Sequence, residues 1–272
     1  MKTKINRIVI YAVLTLIGVS TLIPFLFAVS SSFKPQSCLF ERSILTIKDF
    51  TLDNYIRLFV TTSFPRWLFN STIVGVSFSL LSLFFCSLAG YSFAKYDFLG
   101  KNALFLIVIG SMTIPPWVMI VPLFTWFTRL RLINTYWALI LPGSASGFGI
   151  FLMRQYIHGI PSEILDSARI DGCSDFRIYY QIVLPLIKPA LGALGIFVFM
   201  NSWNNFISPL VFIRTPDMFT IPVGLAAFVG QNNPEFSLLM AGGMISVIPI
   251  LIIFLIMQKQ FVAGLTLGAV KE

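Results

Sequence analysis

Residues 67–94 read WLFNSTIVGVSFSLLSLFFCSLAGYSFA and contain no Asp, Glu, Lys, Arg or His. At 1.5 Å per residue a helix of this length covers ~42 Å, more than the ~30 Å of a bilayer's hydrocarbon core. Working outward, five more stretches lack all five residue types: 8–33, 102–128, 132–153, 189–213 and 236–258. Charged side chains avoid hydrocarbon because leaving water costs them several kcal/mol, roughly 3 even on the mildest scales. Gaps of this length, with the charges pushed to their borders, predict an all-α polytopic membrane protein with six transmembrane helices.

Composition points the same way. The 272 residues are 57% hydrophobic and 11% charged, with 28 Phe and a mean hydropathy of +0.86. A soluble domain of this size would need far more charge on its surface. One membrane domain spanning 1–272 is expected, with a charged helix-turn-helix at 162–185 inside it. The net charge of +8 does not mark a nucleic-acid binder, because the basic residues stand singly at span borders and form no stripe that could follow a phosphate backbone.

Lys2, Lys4 and Arg7 precede the first span and predict a cytoplasmic N-terminus. Six crossings then place both termini in the cytoplasm of a multi-pass bacterial inner-membrane protein. Lys plus Arg number 11 inside and 8 outside under this topology, with Arg129 and Arg131 external. Cys38, Cys86 and Cys173 fall at three different depths, so no pair is placed to form a disulfide. His158 has no Cys neighbour, and no metal-ligand spacing exists.

Between the first two spans lies an external segment, 34–66, with a short amphipathic stretch at 54–59. The spans carry helix-perturbing residues: Pro115, Pro116 and Pro122 in the third, Pro142 and Gly143 in the fourth, Pro249 in the sixth. The fifth contains Asn201, Ser202, Trp203, Asn204 and Asn205, a polar run in an apolar setting. Asn201 shares a helical face with Asn204 or Asn205. That face serves either as interhelical glue or as a lining for a hydroxyl-rich solute, with Trp203 offering a flat surface to a sugar ring.

The charged interruption, from Pro161, reads PSEILDSARIDGCSDFRIYYQIVLP. Pro161 and Glu163 suit a helix start, and Gly172 after Asp171 suits its left-handed end. Ser174 can cap a second helix whose first turn holds Asp175. Ile164, Leu165, Ala168 and Ile170 are too apolar for a merely solvated loop, while Asp166, Arg169 and Asp171 are too charged for the bilayer. An apolar knob with a charged rim predicts a docking surface for a partner protein.

These residues resemble the cytoplasmic signature of ABC-importer permeases: E-A-A, three residues, Gly, nine residues, then I-x-L-P. Asp166-Ser167-Ala168 stand for E-A-A, Gly172 follows after three, and Ile182-Val183-Leu184-Pro185 follow after nine. The spacing is kept, and the first two positions differ in residue type. Further stretches resemble the carbohydrate-uptake class: Met112 to Pro122, Leu132-Ile133-Asn134-Thr135, Phe151 to Gln155, Ser202-Trp203-Asn204 and Gly264 to Val270. Many relatives have an acidic residue after Trp-Asn, where this chain has Asn205.

The resemblance implies the type I permease fold and an assembly with a companion permease, two cytoplasmic ATPase subunits and an external solute-binding protein. It assigns ATPase coupling to Glu163, Leu165, Asp166, Ser167, Ala168, Arg169, Asp171 and Gly172. ATP and Mg would be used by the partner alone, since this chain has no phosphate-binding loop of the G-x-x-x-x-G-K-S/T type and is not itself an enzyme. The implied cargo is a sugar, glycoside or polyol, with glycerol phosphate compounds as the alternative. An ion-coupled secondary transporter is the competing class, but it would place an Asp, Glu or His near the midplane of a span, and none is there.

Overall fold

A computed structural model describes residues 2–39, 50–230 and 234–267. Residues 40–49 of the expected external segment, and the end of the 264–270 tail from residue 268, lie outside the described residues.

Helix α1 is Lys2–Ser32, α2 is Asp53–Val60 and α3 is Phe64–Lys95. Gly100, at φ 82°, turns the chain into α4, Lys101–Ser111. Pro115 and Pro116 then bend the path by 98° into a segment that continues through α5, Ile120–Arg129. Short α6, Trp137–Ile140, precedes α7, Gly147–His158. The helix-turn-helix follows as α8, Ser162–Ile170, and α9, Asp175–Ile178. A π-helical turn over Tyr179–Val183 leads into α10, Leu184–Leu186. Pro185 has no N–H to give the regular ladder, which accounts for the wide turn before it. A bend of 80° at Ile187 starts α11, Lys188–Trp203, with Pro189 in its first turn. The remaining helices are α12, Ile207–Phe212, α13, Ile221–Ala227, and α14, Phe236–Leu267.

Three of these helices are continuous runs long and apolar enough to cross a membrane, within α1, α3 and α14; the two bent pairs raise the number to at most five among the described residues. The fourth charge-free stretch, 132–153, is not one helix. Pro142 and Gly143, the latter at φ 79°, separate α6 from α7. At ~18 Å, α7 is too short to cross alone. Ser146 starts α7 by accepting a hydrogen bond from the Gly149 N–H at 3.1 Å.

The chain divides into two compact units, 1–65 with 224–248 and 66–223 with 249–272. In the first, Asn54 and Leu58 are buried, so the amphipathic stretch at 54–59 turns one face of α2 inward. The Asn54 amide donates to the carbonyls of Ser32 and Lys34 at 2.9 and 2.8 Å. Arg57 pairs with Glu235 at 2.9 Å.

In the second unit, close helix packing depends on small residues. A Cβ on Gly90 of α3 would stand 2.6 Å from the Met153 Cβ and 2.8 Å from the Arg154 nitrogen. One turn earlier, Cys86 lies against Gly149 and its thiol faces the carbonyls of Ser144 and Ser146 at 3.8 Å. Helix α3 therefore carries the start of α7 on Cys86 and its middle on Gly90. On α11, Gly195 is approached by Met257 of α14.

Candidate functional site

The helix-turn-helix forms as its sequence predicts, with one shift of position. Pro161 is the N-cap of α8 rather than a residue of its first turn. At the other end the Cys173 N–H donates to the Ala168 carbonyl and the Gly172 N–H to the Arg169 carbonyl, each at 3.0 Å. These two bonds are a Schellman closure, and they require the left-handed φ of 80° found at Gly172. The Ser174 hydroxyl then accepts from the Arg177 N–H and opens α9.

The apolar knob divides into two sets. Leu165 and Ala168 are buried in a core with Met153, Ile157, Ile178 and Tyr179. They seat α8 on the rest of the unit and offer nothing to a partner from that position. Ile164 and Ile170 face outward, Ile170 at 86% exposure, and Phe176 on α9 joins them. The division follows from helical spacing, since positions 165 and 168 share the inner face.

The charged rim is partly self-paired. Arg169 bonds Asp166 at 2.9 Å and reaches Asp175 at 3.6 Å, clipping α8 to α9. Its guanidinium also lies over the Tyr96 ring, 5.8 Å from the centroid. Burial pushes the Tyr96 phenol above its ordinary pKa, and a hydrogen bond with Tyr91 at 3.2 Å adds to the effect. The Ser167 hydroxyl donates back to the Glu163 carbonyl at 2.7 Å. Glu163, Asp166, Asp171 and Gly172 are exposed.

The polar run of the fifth charge-free stretch lies at a helix end rather than mid-helix. Helix α11 stops at Trp203 and Asn204 is its C-cap. Asn201 and Asn204 are exposed, as a lining role requires. Asn205 instead folds onto Ser208, accepting from its N–H at 3.1 Å and donating to its hydroxyl at 3.2 Å, which starts α12. Trp203 is buried at 3% exposure, stacked on Phe199 at 5.3 Å and packed against Gly75. At that exposure its ring is covered by neighbouring side chains rather than offered to a sugar. A mostly apolar cleft of about 660 Å³ lies elsewhere, between α3 at Ile73, Ser77 and Leu81 and α6 at Tyr136, Trp137 and Ile140. None of the four candidate path residues lines it.

Two asparagines not singled out for a role organise the loops beside that cleft. The Asn70 amide donates to the carbonyls of Asp217 and Phe219, both at 2.8 Å, and its oxygen accepts from the Tyr136 hydroxyl at 2.7 Å. Asn134, at φ 62°, accepts from the N–H groups of Arg214 and Thr215 at 2.9 and 3.1 Å. A single amide within an otherwise apolar, hydroxyl-bearing span was the sequence signal for Asn70; its carbonyl partners are some 150 residues away and Tyr136 is 66 away, and neither gave any.

Comparison with known proteins places the chain in a family and a fold. Residues 86–266 match the family described as binding-protein-dependent transport system inner membrane component. The chain is 42% identical to the arabinooligosaccharides transport system permease protein AraQ of Halalkalibacterium halodurans, over 91% of this chain and 90% of that one. It is 32% identical to the maltodextrin transport system permease protein MdxG of Bacillus subtilis, over 98% and 97%. In fold it matches a chain of a bacterial ABC transporter involved in the import of the acidic polysaccharide alginate, with a TM-score of 0.85 at 23% identity, covering 95% of this chain and 97% of that chain. With a family match over about two thirds of its length and relatives above 30% identity along nearly all of it, the chain belongs to the inner-membrane permease family of binding-protein-dependent ABC transport systems.

Proposed function

We propose that this chain forms half of the translocation path of an ATP-driven importer for an oligosaccharide or related sugar, glycoside or polyol. It couples that path to a separate cytoplasmic ATPase through residues 163–172, with both termini in the cytoplasm. The observation that carries the reading is the α8 to α9 knob. It is held rigidly from below by Leu165 and Ala168, closed by Gly172, and presents Ile164, Ile170 and an acidic rim outward. A lever needs that combination: a firm seat transmits displacement, and an exposed apolar face takes hold of the partner.

The named cargoes of the relatives support the solute class: arabinooligosaccharides, maltodextrin and, for a Rhizobium radiobacter relative at 30% identity, lactose. The exposed amides of Asn201 and Asn204 are suited to hydrogen-bonding sugar hydroxyls along the path. A companion permease supplies the other half, and an external binding protein delivers the solute. The test is to purify the assembly through a tag on this chain, reconstitute it, and measure solute-stimulated ATP hydrolysis and uptake. Both activities are expected only when ATPase and companion permease copurify. Transport or ATP hydrolysis by the isolated chain would refute the reading.

A further inference from the structure

Three of the charge-free stretches have one end at the same cleft. Asp97 and Lys101 lie in the turn between 67–94 and 102–128, and Arg154 is the first residue after 132–153. The fold brings them together around a polar cleft of about 350 Å³, lined also by Phe98 and Asn102. A cleft bordered by the ends of three apolar stretches sits at the depth of phospholipid headgroups.

Two cations face this cleft against one carboxylate. The Lys101 ammonium pairs with Asp97 at 2.9 Å, but that carboxylate stands in water at 101% exposure while the lysine side chain is 21% exposed. Water screens such a pair, and an ammonium has two more protons to donate. Arg154 is more firmly placed. Its guanidinium lies 4.1 Å from the Phe105 ring centroid, and its Nε donates to the Phe93 carbonyl at 3.4 Å. These contacts orient the group without using its two terminal NH2 groups, which have no hydrogen-bond partner among the described residues. The start of α4 adds no counter-charge, since its first turn holds no acidic residue. Beyond the cleft, Leu104, Leu106 and Ile107 of α4 are exposed, an apolar surface suited to acyl chains.

We propose that this cleft binds the phosphate of an anionic phospholipid headgroup, held by the Arg154 terminal nitrogens, the Lys101 ammonium and the Asn102 side-chain amide. A guanidinium fork matches two phosphate oxygens, and the ammonium supplies a point charge beside it. A partner protein's carboxylate would have to be carried into the headgroup layer to compete, whereas the phosphate is already there. Because Lys101 opens α4 and Arg154 stands on α7, one bound headgroup bridges the two helices. The site depends neither on the cargo nor on the ATPase contact proposed above.

The test uses the assembly purified in detergent through a tag on this chain, with bound phospholipid counted by native mass spectrometry. Asn102→Asp is the decisive variant. An acid in the first turn favours a helix, so a purely structural residue would melt no lower, while a phosphate would be repelled. Retained phosphatidylglycerol should fall by roughly tenfold in Asn102→Asp and in Arg154→Gln, the loss expected for one charge-assisted hydrogen bond. If Arg154→Gln fails to assemble, Lys101→Gln takes its place. Added phosphatidylglycerol should raise the melting temperature of the parent and not of Asn102→Asp, and inorganic phosphate should shift neither. Equal retention and equal stabilisation in parent and variants would overturn the proposal, as would equally strong binding of phosphatidylcholine. If inorganic phosphate stabilises the parent as strongly as the lipid does, and Asn102→Asp abolishes both effects, the cleft takes free phosphate and the lipid assignment falls.

Discussion

The backbone N–H of Cys173 donates to the carbonyl of Ala168 at 3.0 Å, folding the chain back over the end of α8. Ala168 is buried and Cys173 half-buried, and both belong to the core that seats the helix. The bond therefore fixes α8 and the start of α9 as one piece, with Gly172 at its pivot.

Gly172→Leu is accordingly expected to impair coupling while leaving the protein in the membrane. A Cβ at this position meets nothing within 4 Å, so no steric clash inside the chain opposes it. The penalty is the left-handed backbone, about 1 kcal/mol or more for a residue with a Cβ. Gly172→Asn, which tolerates that conformation better, should retain more function. ATPase copurification and solute uptake across the three forms would show the order Gly, Asn, Leu; equal values would disprove a role for this turn.

Gly90→Leu should damage folding rather than coupling. The obstruction includes the Arg154 backbone nitrogen at 2.8 Å, which no rotamer change can clear. Overpacking of this kind costs about 1–3 kcal/mol or more, and thermal melting in detergent should register it. Gly243→Ala, with open space around its Cβ, is the matched control and should melt like the parent.

Asn70→Asp tests the loop anchor. The substitution replaces an NH2 donor between two carbonyls with an acceptor, leaving both oxygens facing a third. Leaving such groups unsatisfied costs about 1–3 kcal/mol. A lowered melting temperature is expected, while Asn70→Asp with unaltered melting would show that the loop 216–219 does not depend on this amide.

The fifth charge-free stretch separates two roles within the four residues 201–204. Trp203→Ala removes a buried ring and should cost about 3–5 kcal/mol, seen as loss of folded protein. Asn201→Leu and Asn204→Leu touch exposed positions and should leave melting near the parent value while slowing uptake or changing solute preference. Normal uptake by both Asn variants, across several sugars, would remove them from the path.

The linear sequence determined the membrane class, the all-α fold, the helix-turn-helix after residue 161 and the left-handed turn at Gly172. Each of these is local: charge exclusion from hydrocarbon acts on single stretches, and a helix end depends on the few residues that form it. Tertiary structure decided which side of each residue was used. Leu165 and Ile170 read alike as apolar knob residues, yet packing buries one and exposes the other. Trp203 and Asn204 are neighbours, but the ring is core where it meets Gly75 of α3, more than 100 residues away in sequence, and stacks on Phe199 one turn back. The same holds for the break in 132–153 and for Asn70, whose partners lie across the chain. Such choices depend on which distant surfaces meet, and hydrophobicity along a sequence does not record that.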